Sequence, residues 1–272
     1  MSTQQNIAIL GSGNIGLSLA KGLVKAGIYQ PEQITLTRRN VKALSTMAEN
    51  GYNVTADNSE AVKKADIIVL AVLPQQLNKL LQEIKSSIWE QKHLLISVVS
   101  GVSCSDIRQQ LEMEVQVVRA MPNTAIAIGQ SMTCIATDNG SPENMDIVKS
   151  IFDTVGVTIR INEELMTSAT ALCACGIAFF LRSIRAASQG GTEIGFHAHD
   201  ALKMAAQTAK GAADLLLQLS SHPEQEIDKV TSPKGCTIAG LNEMEHHGFS
   251  SAMIKGIKTS AEKAAVLYDK ES

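Results

Sequence analysis

From residue 6 the chain alternates short apolar runs with stretches whose apolar positions recur every three or four residues, the pattern of parallel βαβ units. Residues 6–10 predict a first strand, followed by a glycine turn and a helix over 14–26 that stops at Gly27. Next come a strand at 33–37, a helix at 41–50 ended by Gly51, a short strand at 53–55, and a brief helix capped by Ser59 and running to Lys64. Residues 67–72, Ile-Ile-Val-Leu-Ala-Val, form an unbroken apolar run, as a central parallel strand buried on both faces requires, and Pro74 ends it. A helix at 76–85 leads to a strand at 93–99, halted by Ser100-Gly101, and Ser103 caps a helix to Leu111. Residues 115–119 and 131–137 read as strands, Pro142 opens a helix to Asp153, and 157–160 is the last strand.

From residue 163 the period is helical almost throughout, with breaks expected at Gly190-Gly191, at His222-Pro223 and at Ser232-Pro233-Lys234-Gly235, and with Ala-rich helices over 201–219 and 251–268. The chain therefore divides into an α/β Rossmann-type parallel-sheet domain, residues 1–161, and an all-α domain, residues 162–272. A helical segment of about 110 residues makes a marginal core by itself, so association through these helices is expected. Residues 165–181 carry no charge, but Thr167, Ser168, Thr170, two cysteines and Gly176 dilute the run, and an interface helix is expected rather than a membrane span.

Composition narrows the function classes. The 272 residues are 44% hydrophobic and 19% charged, which excludes a disordered chain, and 24 basic against 27 acidic side chains leave no excess to neutralise a phosphate backbone or an anionic membrane. Neither nucleic acid nor membrane is expected as a partner. The polar lead, residues 1–5, resembles no export signal, and five irregularly spaced cysteines read as reduced thiols of a cytoplasmic protein. His197-Ala198-His199-Asp200 is read as a loop with Asp200 capping the following helix, Cys173 and Cys175 as small buried fillers, and no metal site is expected.

Gly11-Ser12-Gly13-Asn14-Ile15-Gly16 lies between a predicted strand and a predicted helix, the context in which G-x-G-x-x-G signals a dinucleotide. Gly11 allows the tight turn, Gly13 lets a pyrophosphate approach the backbone, and Gly16 lets the helix pack on the strand, while the helix N-terminus offers amides to phosphate. About twenty residues further on, where a carboxylate would hold a bare ribose, the chain has Thr37-Arg38-Arg39-Asn40. Two guanidiniums beside a hydroxyl suit a 2′-phosphate, so NADP(H) is favoured, with NAD(H) as the alternative.

Beyond these features the chain resembles the pyrroline-5-carboxylate reductases. The resemblance is carried by 65–74 (Ala-Asp-Ile-Ile-Val-Leu-Ala-Val-Leu-Pro), by 97–102, by Arg119-Ala120-Met121-Pro122-Asn123-Thr124, by 170–172 and 206–212, and by 230–238 (Val-Thr-Ser-Pro-Lys-Gly-Cys-Thr-Ile), all in order and spacing. It implies a reductase that transfers hydride from NAD(P)H to the C=N carbon of 1-pyrroline-5-carboxylate, giving L-proline, and a homodimer through the C-terminal helices, with a decamer of five such dimers. By this resemblance Ser232, Gly235, Cys236 and Thr237 hold the substrate carboxylate, and the Thr237 hydroxyl, the catalytic candidate, bonds the ring nitrogen. Asn58 then sits at the adenine end of the cofactor, Ala71, Val72, Leu73 and Pro74 along its ribose and pyrophosphate, and Met121, Pro122 and Asn123 beside the nicotinamide.

The chain also departs from that pattern. Cys173-Ala174-Cys175-Gly176-Ile177-Ala178-Phe179 stands where the family has Ser-Gly-Ser-Gly-Pro-Ala-Tyr, Leu73 replaces a lysine, and Lys234 stands where a glycine is usual. The first change removes hydroxyls and a kinking proline, and the last places a side chain where glycine is conformationally favoured. Two other readings therefore stay open: reduction of a different cyclic or acyclic imine, and a noncatalytic NADP-binding dimer.

Overall fold

The computed structural model describes residues 5–268; residues 1–4 of the polar lead and the last four of the helical segment lie outside the described residues. By its contacts the chain forms two units, Met1–Cys175 with Ser260–Ser272, and Gly176–Thr259.

The first unit is built on an eight-stranded sheet in the order β3-β2-β1-β4-β5-β6-β7-β8. The strands are β1 (Ile7–Leu10), β2 (Ile34–Thr37), β3 (Asn53–Thr55), β4 (Ile67–Leu70), β5 (Leu94–Ser97), β6 (Gln116–Met121), β7 (Ser131–Ala136) and β8 (Gly156–Arg160). All neighbours pair in parallel except β6 and β7, which run antiparallel with Met121 opposite Cys134, so the sheet is predominantly rather than wholly parallel. A 3-10 turn, Thr124–Ile128, between β6 and β7 makes this short reversal in place of a crossover helix.

Alternate strand residues fill two cores. Ile7, Ile9, Ile67, Val69 and Ile96 pack with Leu19 and Leu23 of α1 (Asn14–Lys25), Met47 of α2 (Ser45–Glu49) and Phe152 of α6 (Pro142–Asp153). Ala8, Leu10, Ile68, Leu70 and Leu95 pack with Val62 of α3 (Asn58–Lys64), Leu77 and Leu81 of α4 (Pro74–Ile84) and Ile107 of α5 (Cys104–Leu111). This two-sided burial explains why the strands read as continuous apolar runs.

Local chemistry sets the boundaries, sometimes against expectation. Ser103 caps α5 in a reciprocal capping box with Asp106. Helix α3, however, is capped by Asp57, whose carboxylate accepts from the Glu60 amide at 2.9 Å, while Ser59 Oγ donates to the Glu83 carbonyl. Pro74 opens α4 rather than ending β4, which stops at Leu70 and leaves 71–73 as a loop at the carboxyl edge of the sheet. After the second unit the chain returns to the first: Ala264 and Leu267 lie against Gly101, and Tyr268 Oη donates to Asn78 of α4 at 2.6 Å.

The helical stretch begins with a 3-10 turn, Glu163–Leu165, then α7 (Met166–Ala169) and a π-helical turn, Thr170–Cys175. Loss of the expected proline at Ile177 has not left a regular helix, since the irregular turn precedes it. Both cysteines on that turn are partly exposed rather than buried fillers.

The second unit holds α8 (Gly176–Glu193), α9 (Ala198–Leu219), α10 (Pro223–Lys229), α11 (Cys236–His246) and most of α12 (Phe249–Ala264). The break expected at Gly190-Gly191 lies inside α8, and the chain turns at Gly195 instead, in the left-handed region at φ 114°. Gly191 serves packing: a Cβ there would lie 3.1 Å from Ala201 Cβ on α9. His197 is the N-cap of α9 and Asp200 sits in its first turn, where a negative charge meets the positive helix end. Within this unit only Gly176, Ser188 and Ala201 are buried, while Phe180, Leu181, Ile194 and Leu217 are exposed. Residues 163–193 are long and apolar enough to cross a membrane by length and composition.

Candidate active site

In a doubly wound sheet, ligands bind at the carboxyl edge where successive connections diverge to opposite sides, which here is the gap between β1 and β4. A cavity of about 760 Å³ opens there. Its floor is the turn after β1. Gly11 has φ 94°, and a Cβ on it would lie 2.5 Å from the Ala71 carbonyl, so only glycine lets the turn nest against the loop after β4. Gly13 is the N-cap of α1 with no side chain capping the helix, and the space above it is open. Ser12 Oγ is buried without a partner at this wall. An uncapped helix end, open space above a glycine and an orphaned hydroxyl together fit a bound pyrophosphate.

The structure gathers Gly11, Ser12, Gly13, Asn14 and Ile15, then Thr37, Arg38, Arg39 and Asn58, and then Ala71, Val72, Leu73 and Pro74 around this one cavity. Gly16 stands behind it, where a Cβ would meet both the Gly11 carbonyl and Ile9 at 2.9 Å. Arg38 and Arg39 are exposed and can close on a phosphate, but Thr37 plays another part. Its hydroxyl is buried, accepts the Gly11 amide at 3.3 Å and donates to Asn58 Oδ1 at 2.6 Å. Asn58 Nδ2 in turn donates to Glu83 Oε1 at 3.0 Å. Thr37 therefore ties the glycine turn to α3 instead of offering its hydroxyl to a 2′-phosphate.

Lys79 and Glu83, one helical turn apart on α4, and Ser100 also line the cavity, and the sequence reading missed all three. A Lys and a Glu four residues apart on the cavity face of the helix opened by Pro74 are a visible signal, normally taken for a solvent-exposed pair. Met121, Pro122 and Asn123 lie outside the cavity; Ser100 Oγ, on its wall, reaches Met121 Sδ at 3.9 Å. Asn123 is committed on both sides, its Oδ1 accepting from the Ala125 amide at 3.0 Å and its Nδ2 donating to the Cys173 carbonyl at 3.2 Å.

In the second unit the loop before α11 is tightly wound. Lys234 has φ 59°, a left-handed backbone seldom adopted by lysine, and the Gly235 amide returns to the Ser232 carbonyl at 2.9 Å. A Cβ on Gly235 would lie 2.5 Å from Ser232 Oγ. Gly235 is the N-cap of α11 with no side-chain cap, so Cys236 and Thr237 lie in the first helical turn. Ser232, Gly235, Cys236 and Thr237 are thus adjacent, with a half-buried Thr237 hydroxyl beside uncapped amides.

A carboxylate-thiol cluster lies elsewhere in the first unit. Ligand atoms of Cys104, Asp138 and Glu163 fall within 4.8 Å of one another. Arg108 binds Asp138 through both oxygens at 2.6 and 2.7 Å, Arg119 approaches Glu163 at 3.4 Å, and the Cys104 amide donates to Glu163 at 2.7 Å. Burial and the neighbouring Glu163 push the Cys104 thiol far up, so it stays protonated and ligates metal poorly. The cluster is a charge-compensated joint between α5, β6 and the 3-10 turn at Glu163.

Residues 163–267 match the family model described as pyrroline-5-carboxylate reductase dimerisation, and residues 6–101 match NADP oxidoreductase coenzyme F420-dependent. Pyrroline-5-carboxylate reductase 2 of Dictyostelium discoideum is 50% identical, with 97% of this chain and 94% of that protein covered. Pyrroline-5-carboxylate reductase 1 of the same organism is 55% identical over 96% of this chain, which spans half of that longer relative. The crystal structure of Plasmodium falciparum pyrroline carboxylate reductase with NADP bound superposes with a TM-score of 0.88 at 25% identity, covering 99% of this chain and all of the other. The match to a dimerisation region covers the helical unit on which Phe180, Leu181, Ile194 and Leu217 are exposed.

Proposed function

The chain belongs to the pyrroline-5-carboxylate reductase family, and we propose that it reduces 1-pyrroline-5-carboxylate to L-proline, the last step of proline biosynthesis, with the labour divided between its two units. It is an NADP-dependent oxidoreductase acting on a carbon–nitrogen double bond, and it works as an oligomer on a small-molecule substrate.

Residues 1–161 hold the dinucleotide and 162–272 supply the substrate loop and the dimer contact. The cavity at the β1–β4 gap, with its orphaned Ser12 hydroxyl, is the observation that carries the first assignment. Gly11 to Ile15 receive the pyrophosphate while Gly16 lets α1 pack behind them, Arg38 and Arg39 receive the 2′-phosphate, Asn58 the adenine end, Ala71 to Pro74 the ribose, and Met121 to Asn123 the nicotinamide end. When bound, the reduced nicotinamide supplies hydride to the imine carbon.

The chain's own residues orient and protect. Ser232 and the uncapped amides of Gly235, Cys236 and Thr237 take the substrate carboxylate without a buried cation. Thr237 Oγ fixes the ring nitrogen, which is already electrophilic at the neighbouring carbon once it carries a proton; no strong base is needed. The net change is one hydride to carbon and one proton to nitrogen. The C-terminal helices form a homodimer, five dimers associate as a decamer, and the protein acts in the cytoplasm.

The direct test is loss of NADPH absorbance when 1-pyrroline-5-carboxylate is added to purified protein, with light scattering to count subunits. Turnover with stoichiometric proline is expected, and Thr237→Val lowers kcat by about tenfold, the loss of one hydrogen bond in the transition state. Tight NADPH binding with no turnover between pH 5 and 9 defeats the reading.

A further inference from the structure

Cys134 on β7 and Cys173 on the π-helical turn are 39 positions apart in sequence, yet their sulfurs lie 3.8 Å from each other. Cys134 is buried and Cys173 is partly exposed, and both are free thiols. The pair brackets one segment. Cys134 stands directly opposite Met121 in the β6–β7 ladder, and the Cys173 carbonyl accepts the side-chain amide of Asn123. Either sulfur can donate in this contact, and the neighbouring thiol holds Cys173 down, to about 7, while it and burial raise Cys134. One member is therefore an accessible nucleophile at neutral pH and the other a buried reserve.

We propose that Cys134 and Cys173 form a redox-responsive modification site, in which a hydroperoxide oxidises Cys173 and Cys134 resolves it to a disulfide that shuts down turnover. The Cys173 thiolate attacks the peroxide oxygen, giving a sulfenic acid and hydroxide (or alkoxide). The Cys134 sulfur then attacks that sulfenic sulfur; the S–O bond breaks, and the hydroxyl leaves with the Cys134 proton as water. Overall two thiols are oxidised to one disulfide while one hydroperoxide is reduced to water, or to water and an alcohol. Closing the sulfurs from 3.8 Å to about 2.05 Å draws the π-helical turn toward β7 and displaces both partners of the segment 121–123. A π-helical turn can absorb such a shift, being looser than regular α-helix. Its effect on turnover rests on the proposed nicotinamide placement of Met121, Pro122 and Asn123; the bond itself does not.

The experiment treats the full-length oligomer with hydrogen peroxide, quenches with catalase, and follows peptide masses and NADPH-dependent turnover, each protein normalised to its own untreated rate. Expected for the wild type are a peptide pair joined through Cys134 and Cys173, a turnover loss of at least fivefold, and recovery of both on adding dithiothreitol. In Cys134→Ser the same treatment gives no joined pair, and Cys173 proceeds to sulfinic acid, which dithiothreitol does not reverse. Cys173→Ser gives neither product. If the wild type yields no joined pair, the site is refuted. If the pair forms without loss of turnover, the regulatory half is refuted. An untreated enzyme that does not turn over refutes the functional reading instead, while leaving the bond measurable by mass.

Discussion

The Thr37 hydroxyl donates to Asn58 Oδ1 at 2.6 Å while it accepts the Gly11 amide, so the glycine turn after β1 and helix α3 are joined through one oxygen. The direction of this chain is set at its far end. Glu83 is a carboxylate that can only accept, and it obliges Asn58 to present Nδ2 to it and Oδ1 to Thr37.

Glu83→Gln removes that obligation, because an amide can face Asn58 with either edge. The expected result is a KM for NADPH raised about fivefold to tenfold, about 1 kcal/mol, with kcat within about twofold. Steady-state kinetics with cofactor varied at saturating imine measures this split; a fall in kcat at constant KM would contradict it.

Arg38 and Arg39 are exposed on the cavity lining, where the carboxylate of Glu83 is engaged by Asn58. Replacing both with alanine removes charge-assisted bonds to a 2′-phosphate of about 1.5–3 kcal/mol, so KM for NADPH rises about tenfold to a hundredfold. NADH, which has no such phosphate, changes by less than about threefold. The ratio of kcat/KM for the two cofactors is the readout.

Lys234 holds a left-handed backbone that costs a side-chain-bearing residue about 1 kcal/mol. Lys234→Gly relieves the strain, and the greater freedom of glycine in the unfolded chain offsets part of the gain. A Tm rise of about 1–2 °C is expected by calorimetry. A lowered Tm would mean that the lysine side chain contributes more than its backbone loses.

Asp138 is held below the usual carboxylate range, chiefly by its hydrogen bonds from Arg108. A carboxyl whose native value is lowered adds stability that is fully present above its unfolded value and is lost as pH falls through the native one. Both side chains retain some solvent contact, so Asp138→Asn is expected to cost only about 1 kcal/mol at pH 7. Urea unfolding at a series of pH values should show the mutant and wild-type curves merging as the pH drops below the ordinary carboxylate range.

The sheet was legible because its strands are apolar on both faces and its helices carry Gly, Pro and Ser boundary signals: Gly27, Gly51, Ser103 and Pro142 all stand at element ends. Reading failed where a residue type has two structural uses. Gly190 and Gly191 suggested a break, but Gly191 is small so that α9 can approach. Pro74 suggested a stop and is a start. Cavity residues contributed by the loops after β1 and β4 were visible as motifs, whereas Glu83, which bonds Asn58, carries only a spacing from Lys79 that reads as an ordinary solvent-exposed pair. The Cys134–Cys173 contact depends on a π-helical turn and an antiparallel pairing, neither of which has a periodicity that a sequence displays.

The return of Ser260–Tyr268 to the sheet unit has a practical corollary for anyone dividing the molecule. A fragment stopped after Cys175 would discard Tyr268 and its bond to Asn78, and would bare the backbone at Gly101 that Ala264 and Leu267 cover. No single cut yields the sheet unit intact. Excision of 176–259, with Cys175 linked to Ser260, is the dissection that keeps both of its pieces.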